Sequence, residues 1–592
     1  MAPRKRRRSL QSLYGLLSLI IGCTDRENDS APSSDQRMPA VREETVEPSR
    51  AGEGLTSEGG AVYYSAPRPD DPDFVVVAGR KGRGAQHILE LTGSGAGLLD
   101  YDNDGWLDIY VVSGQLHGRP VEAASPTNHL LRNRGDGTFT DVTESAGVGD
   151  QGYGFGVAAA DFDNDGAIDL FVSNWGADVL YRNRGDGRFD DVTQVAGVAG
   201  SGWSASAAWG DVDRDGDLDL YVCRYFVHQE DMEPCSWAGT RVPCGPPATP
   251  PERDFFYRNN GDGTFHEVSA KAGLQTVAPA FGLGVTFCDF NDDGHPDIYV
   301  ANDVTPNFLF QNQGDGSFEE VGLLAGVAFN LDGREQSGMG VDVADFDGDG
   351  LEDFFVTNFS ADYNTLYRNE GHGFFTDVTA VVGLSQLAFM DLGWATRFFD
   401  ADCDGDLDLF VANGHVYPHV DGEVSSTFAQ KNHLYLWDGT RYQDATNQSG
   451  PGLSLVHSSR GAAFGDLNND GWMDAVVVEL NKPPSILRAR PQSGQHRVLI
   501  HLETAAGESS PELSKVTVKA AGRVYTRRCN RGGSYCSSND PRIHFGLGKT
   551  NRIDELVVHW SGGGQQTFRN LAGDRLYTIR RGSKTLRTEP LQ

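Results

Sequence analysis

Seven times along the chain, acidic residues recur at positions 1, 3, 5 and 9 of one short loop, with glycine at position 6. The stretch DFDNDGAIDLFV at 161–172 shows the form: Asp161, Asp163 and Asp165 alternate, Gly166 follows, and Asp169 leads into an apolar run. The earlier copy is Asp100, Asp102, Asp104 and Asp108; the next is Asp211, Asp213, Asp215 and Asp219. Then come Asp289, Asn291, Asp293 and Asp297; Asp345, Asp347, Asp349 and Asp353; Asp400, Asp402, Asp404 and Asp408. Asp466, Asn468, Asp470 and Asp474 close the series. Of 28 such positions only two are Asn, which still offers a carbonyl oxygen. Like charges this close repel unless something neutralises them. Alternating carboxylates with Gly in the tight turn are the oxygen-rich order of a calcium loop. An EF-hand would close with Glu at position 12 between helices; here the flanks, FGVAAA and IDLFVSN, read as strands. A single copy is equally a solvated turn, because Asp, Asn and Gly are turn formers. Seven copies predict a calcium site at each loop.

A second unit alternates with the first. It reads LLRNRGDGTFTDVTESAGV at 130–148 and LYRNRGDGRFDDVTQVAGV at 180–198, with further copies at 256–274, 309–327 and 366–384 and a worn one at 433–446. Each is a short strand, a Gly-rich hairpin turn and another strand. One repeat therefore holds about four strands with the metal loop between the first two. Four-stranded units repeating at this scale make propeller blades. The expected fold is all-β: a seven-bladed propeller over 73–490, with a solenoid as the other architecture. The seventh repeat lacks an outer hairpin after 486–489, and residues 73–92 could supply the missing strand and close the ring.

The formal charge of −33 disfavours nucleic acid and anionic lipid as partners. Much of it lies in the loops, where 26 ligand carboxylates concentrate. The N-terminus is basic, MAPRKRRRS, and runs into the short apolar stretch LQSLYGLLSLIIGC. That run fits a secretory signal over 1–22. LIIGC at 19–23 resembles a bacterial lipobox, which would make Cys23 the lipidated mature terminus; the alternative is an ordinary signal with an incidental cysteine. Residues 23–72, rich in Ser, Pro, Glu and Arg, read as a disordered tether. The expectation is an exported protein, held at a bacterial membrane by lipid alone, at the outer membrane or cell surface. Export also permits disulfides. Cys235 with Cys244, and Cys529 with Cys536, have spacings that suit local bridges.

Connection lengths locate a candidate functional face. From the last loop Asp to the Asn of LYRN or its counterpart, the spans are 25, 14, 40, 15, 16, 29 and 15 residues. From that Asn to the next loop the spans are 28, 28, 30, 33, 31 and 29. The large variation falls in one connection, between the second and third strands, opposite the metal loops. The insertions are 113–128, 223–256 and 413–432. Loops on a rigid scaffold are where function usually sits. Trp237 and Tyr417 lie in them, and Asn174, Asn302, Asn358 and Asn413 end second strands, either as a polar arc on that face or as Asx turns. His415 and His419 could bind a transition metal or be structural. No Ser-His-Asp signature, phosphate loop or dinucleotide fingerprint is present.

The repeats resemble FG-GAP/VCBS repeats, as in the integrin-type calcium propeller, with FGVAAADFDNDGAIDLFVSN a close match. GGSYCSSNDPRIHFGLG at 532–548 and IDELVVHWSGGGQQTFRNL at 553–571 resemble the ASPIC/UnbV domain. That order is similar to the cartilage acidic protein family and its bacterial relatives. The resemblance implies a smaller C-terminal β domain over 491–582, with 583–592 as a tail, and binding or adhesion more than chemistry. The expected function is a calcium-binding propeller that holds a protein or glycan at the cell surface. The alternatives are a polysaccharide lyase or hydrolase with its site at the channel mouth, and a spacer that presents the C-terminal domain.

Overall fold

The computed structural model describes residues 64–592 except 80–86, 117–124, 230–231, 238, 419, 421–425 and 506. The expected signal, Cys23, most of the tether and His419 lie outside the described residues.

The protein is all-β, and each repeat folds as one antiparallel sheet. The second is representative: Tyr153–Ala160, Asp169–Trp175, Val179–Asn183 and Phe189–Asp191 pair in sequence order. Six such sheets have four strands and the seventh has three. The first strands are Ala96–Leu99, Tyr153–Ala160, Ser204–Gly210, Gly282–Cys288, Val341–Ala344, Gly393–Phe399 and Ser459–Gly465. Each touches the first strand of the next sheet, and the seventh touches the first. Neighbouring sheets bury apolar faces against each other, which is why Tyr153–Ala160 is buried along its whole length rather than on alternate residues. Ala158, Phe171 and Leu180 of the second sheet, for example, share a core with Trp209, Leu220 and Val222 of the third. Ile109 and Leu131 of the first share one with Val476 and Ile486 of the seventh.

The strand that completes the seventh sheet differs from the one expected. The described residues of 73–92 do not form it; Tyr64 does, bridging antiparallel to Ala489. Ser65 N–H donates to Arg488 O at 3.0 Å, and the Tyr64 hydroxyl donates to Met473 O at 3.2 Å. An ion pair between Asp71 and Arg488, both nearly buried, ties the segment down. The chain therefore joins the ring about nine residues earlier than its composition suggests.

The C-terminal domain is two four-stranded sheets around one core. His496–Glu503 lies between Ile543–Gly548 and Arg575–Arg580, the latter parallel to it. Lys515–Ala520 lies between Arg523–Arg528 and Arg552–His559. Val498, Val516, Phe545, Leu556, Val558 and Ile579 fill the space between. Arg587–Pro590 adds an edge strand to Arg575–Arg580, so four of the ten residues of the expected tail are part of the sheet.

A loop of this domain, Asn530–Asp540, enters the axis of the ring and bonds to all seven sheets. Ser538 exchanges backbone bonds with Ala96 and Leu98, and Val157 N–H donates to Cys536 O at 3.2 Å. Cys536 N–H donates to Ser206 Oγ at 2.9 Å, and the Asn530 amide to Thr286 Oγ1 at 3.1 Å. Ser534 pairs with Val341 in both directions. Arg397 donates to Gly532 O and Asn530 O, and Asp540 N–H to Phe464 O. Glycine makes the approach possible: a Cβ on Gly95 would lie 1.8 Å from Cys536 O.

That insertion corrects the second disulfide. Cys529 and Cys536 are both free and buried. Cys529 stays in the core of the C-terminal domain, whereas Cys536 is carried into the core of the ring. The expected bridge between Cys235 and Cys244 is formed, stapling the hairpin Cys235–Trp237 with Thr240–Val242.

Candidate metal centre

Within each loop the backbone is organised before any ion is considered. In the second, the Asp161 carboxylate accepts from Asp165 N–H at 3.0 Å and Gly166 N–H at 2.9 Å. Position 4 adopts the left-handed conformation in every copy: Asn103, Asn164, Arg214, Asp292, Gly348, Cys403 and Asn469 all have φ between 54° and 78°. This folds positions 1, 3 and 5 back on one another.

The acid at position 9 has a double role. Asp169 accepts from Phe162 N–H at 3.1 Å with one oxygen and from Asn183 N–H at 2.7 Å with the other. The same pair of bonds recurs at Asp108, Asp219, Asp297, Asp353, Asp408 and Asp474, so this carboxylate joins the loop to the third strand in all seven sheets.

In five loops three carboxylates converge. Oxygens of Asp100, Asp102 and Asp108 all lie within 4.8 Å of one another, as do those of Asp161, Asp163 and Asp169. Asp211 with Asp213 and Asp215, Asp345 with Asp347 and Asp353, and Asp400 with Asp402 and Asp404 do the same. Each of these five groups holds one buried oxygen with no hydrogen-bond partner: Oδ1 of Asp102, Asp163, Asp211, Asp345 and Asp400. A buried acceptor left unpaired is costly, and a cation satisfies it. Burial pushes the Asp161 carboxyl up to about 6. Burial and the neighbouring Asp215 and Asp213 push Asp211 up to about 7. A divalent ion removes both penalties, since it favours the ionised form of every carboxylate it touches. The donor sets fit such an ion, and hard oxygen ligands suit calcium, magnesium or manganese.

Two residues of the third strand were not singled out in the sequence beyond serving as a ruler. Arg132 pairs with Asp102 Oδ2 at 2.7 Å and Asp104 at 3.0 Å, and Arg182 with Asp163 Oδ2 at 2.5 Å. These arginines take the outer oxygens and leave Oδ1 free. The asparagine that follows clasps adjacent sheets. Asn183 donates to Ile168 O of its own loop at 3.0 Å and to Tyr101 O of the preceding loop at 2.9 Å. Asn133, Asn259, Asn312 and Asn369 do the same, Asn133 reaching back from the first sheet to Leu467 of the seventh. Its signal was visible as the Asn of YRN and its variants in five repeats, at a fixed distance before the Gly-Asp-Gly turn.

The second-strand asparagines are placed inside the protein. Asn174, Asn302, Asn358 and Asn413 are buried, and each amide donates within its own strand connection, as Asn302 does to Pro306 O at 2.7 Å and Asn413 to Lys431 O at 3.0 Å. They shape the turns that follow the second strands. Because the sheets are antiparallel, those turns leave the end opposite the metal loops. There the stapled hairpin crosses to other sheets: Trp237 lies 5.5 Å from Tyr417, 5.2 Å from His415 and 6.3 Å from Phe359, ring centre to ring centre. His415 is buried and its Nε2 lies 3.1 Å from Ser360 Oγ.

Repeated antiparallel sheets, each with an aspartate-rich loop between its first two strands, define a class, and the sequence matches it. The chain belongs to the FG-GAP-like repeat family, matched over residues 100–172, 161–222, 248–300, 289–356, 345–411 and 423–477. It also carries an ASPIC and UnbV region over 514–586. Among named proteins it is similar to human cartilage acidic protein 1, at 25% identity over 321 residues, which is 53% of this chain and 45% of the relative. The chain thus spans about half the length of the curated relative it matches. Among solved structures it is similar to an Agrocybe aegerita lectin that recognises non-reducing terminal N-acetylglucosamine, at 17% identity and a TM-score of 0.35, covering 65% of this chain and 94% of the lectin. A similar likeness, at 13% identity and a TM-score of 0.35, is to the rhamnogalacturonan lyase YesW, covering 67% of this chain and 71% of the lyase.

Proposed function

We propose that this is an exported calcium-binding propeller, lipid-anchored through Cys23, that binds a protein or glycan at the cell surface. Calcium is the reading the donor sets support best: carboxylates and carbonyls alone, at positions 1, 3, 5 and 9 of a loop with Gly at position 6. The observation that carries the binding face is the asymmetry of the ring. Its metal-loop end is covered by the C-terminal domain, with Gly507 N–H bonded to Asn164 O, Arg523 to Asp406 and Arg528 to Asp289. Its other end carries the long connections and the stapled hairpin, with Ser236 exposed and Trp237 half-exposed at its tip. Aromatic rings of this kind suit sugar or protein contact.

The test shortens the connection between Asp219–Arg224 and Phe255–Asn259 to the length found in the second sheet. On an array of glycans and cell-wall fragments, the full chain should bind and the shortened one should lose binding at least tenfold, with an unchanged calcium-dependent melt. Undiminished binding by the shortened chain contradicts this face.

A further inference from the structure

Two of the seven loops are built differently from the other five, and both carry the only asparagines at position 3. In the loop 289–297 the Asn291 amide donates to Asp293 Oδ2 at 2.8 Å. In the loop 466–474 the Asn468 amide donates to Asp470 Oδ2 at 3.0 Å. A donor thus stands where the five acid loops place a third carboxylate. Neither loop contains a buried carboxylate oxygen without a partner, whereas each of the five acid loops contains one.

The third-strand arginine that pairs with the first three acid loops does not reach these two, and it is absent from the acid loop 400–408 as well, where Leu436 holds its place. Its place is taken by Gln311 in the fourth sheet, and in the seventh Arg488 turns away to Asp71. Cationic side chains of the C-terminal domain reach both loops, as Arg523 also reaches Asp406 of the acid loop 400–408. Arg528 lies 3.1 Å from Asp289 Oδ2 and 2.7 Å from Glu352 Oε1, largely buried between two loops. Arg542 donates to Asp466 O at 2.5 Å and to Asn469 Oδ1 at 2.6 Å, with its charge balanced by Asp540.

We propose that the seven loops are of two kinds: five hold a divalent cation, and those at 289–297 and 466–474 are metal-free sockets in which Arg528 and Arg542 hold the C-terminal domain. The proposal rests on the metal reading above and refines it. The sockets flank the loop Asn530–Asp540 in sequence, since Arg528 lies just before it and Arg542 just after. The domain is therefore gripped at both ends of the segment it inserts into the ring. An Arg guanidinium suits this role because its planar fork serves a carboxylate and a carbonyl at once without changing charge.

The test is a metal count on the whole protein, equilibrated with calcium and measured by native mass spectrometry and by elemental analysis. Five ions per chain are expected. Asp161→Asn with Asp163→Asn should lower the count to four, and Asp293→Asn should leave it at five. Asn291→Asp combined with Arg528→Ala should raise it to six. Hydrogen exchange reads the socket role independently: Arg528→Ala should speed exchange in Asn530–Asp540 at least tenfold at saturating calcium. Seven ions, or a loss of one ion in Asp293→Asn, overturns the division while leaving the metal reading intact. No bound ion overturns both. Unchanged exchange in Arg528→Ala overturns the socket.

Discussion

Removing divalent cations with a chelator should lower the melting temperature by about ten degrees or more, and adding calcium should restore it. An ion that binds only the folded state stabilises by RT ln(1 + [L]/Kd), so calcium at ten times Kd contributes about 1.4 kcal/mol per site. Five such sites contribute on the order of 7 kcal/mol, comparable with the whole stability of an ordinary domain, about 5–15 kcal/mol. The sites are also spread around the ring, in five of its seven sheets. Losing them removes support from the ring at many points together. The acid at position 9 extends the effect, because the carboxylate that belongs to the converging acid group in three loops also holds the third strand. Differential scanning calorimetry with and without chelator measures this. A melt indifferent to both chelator and added calcium would mean that the aspartates are satisfied by their arginines and backbone donors alone.

The second large effect is at the axis. Tyr535→Ala should destabilise the protein by about 3–5 kcal/mol, the range for removing a large buried aromatic side chain. Tyr535 is completely buried, its ring meets Trp394 edge-to-face at 4.9 Å, and its hydroxyl donates to Thr92 O at 3.3 Å. It stands in the middle of the segment that bonds to every sheet. The loss should therefore appear as a lower denaturant midpoint for ring and C-terminal domain together. If the C-terminal domain alone melts earlier, with the ring transition unmoved, the inserted loop is an ornament of the domain rather than a part of the ring.

These two effects differ in how far the sequence announced them. The metal loops are legible because their chemistry is local: acids at alternate positions, a glycine, and a strand on each side, repeated until chance is excluded. Sheet composition is legible for the same reason, since each sheet is one continuous stretch of chain. The inserted loop is not. Asn530–Asp540 carries most of the GGSYCSSND motif that resembles the ASPIC/UnbV domain, but nothing in that motif says that the loop enters the ring. Its partners in the ring are between 72 and several hundred residues away, and apart from Arg397 each is a backbone group or a small polar side chain that leaves no pattern. The cysteine pair within and beside it misleads in the same way. Spacing suggests a staple between Cys529 and Cys536, but spacing carries no information about which core each residue enters. The closing strand shows the converse problem. Tyr64 and Ser65 follow a stretch whose composition is that of a tether, and one backbone bridge to Ala489 is too short to produce a periodic signal. The second-strand asparagines were visible as a repeated feature, yet only the fold shows that their amides serve the turns beside them. The asparagines at positions 291 and 468 looked like conservative changes, each still an oxygen ligand. In the folded loops their amides act as donors, and that difference separates two loops from five.

The account stands most directly on whether ions occupy the acid loops. Crystals grown in millimolar calcium and measured at long wavelength would give anomalous difference density. Peaks should lie among Asp161, Asp163 and Asp169 and in the four equivalent acid groups, with oxygen ligands at about 2.3–2.6 Å as calcium requires. A folded protein with no anomalous peak in any of those loops would contradict it.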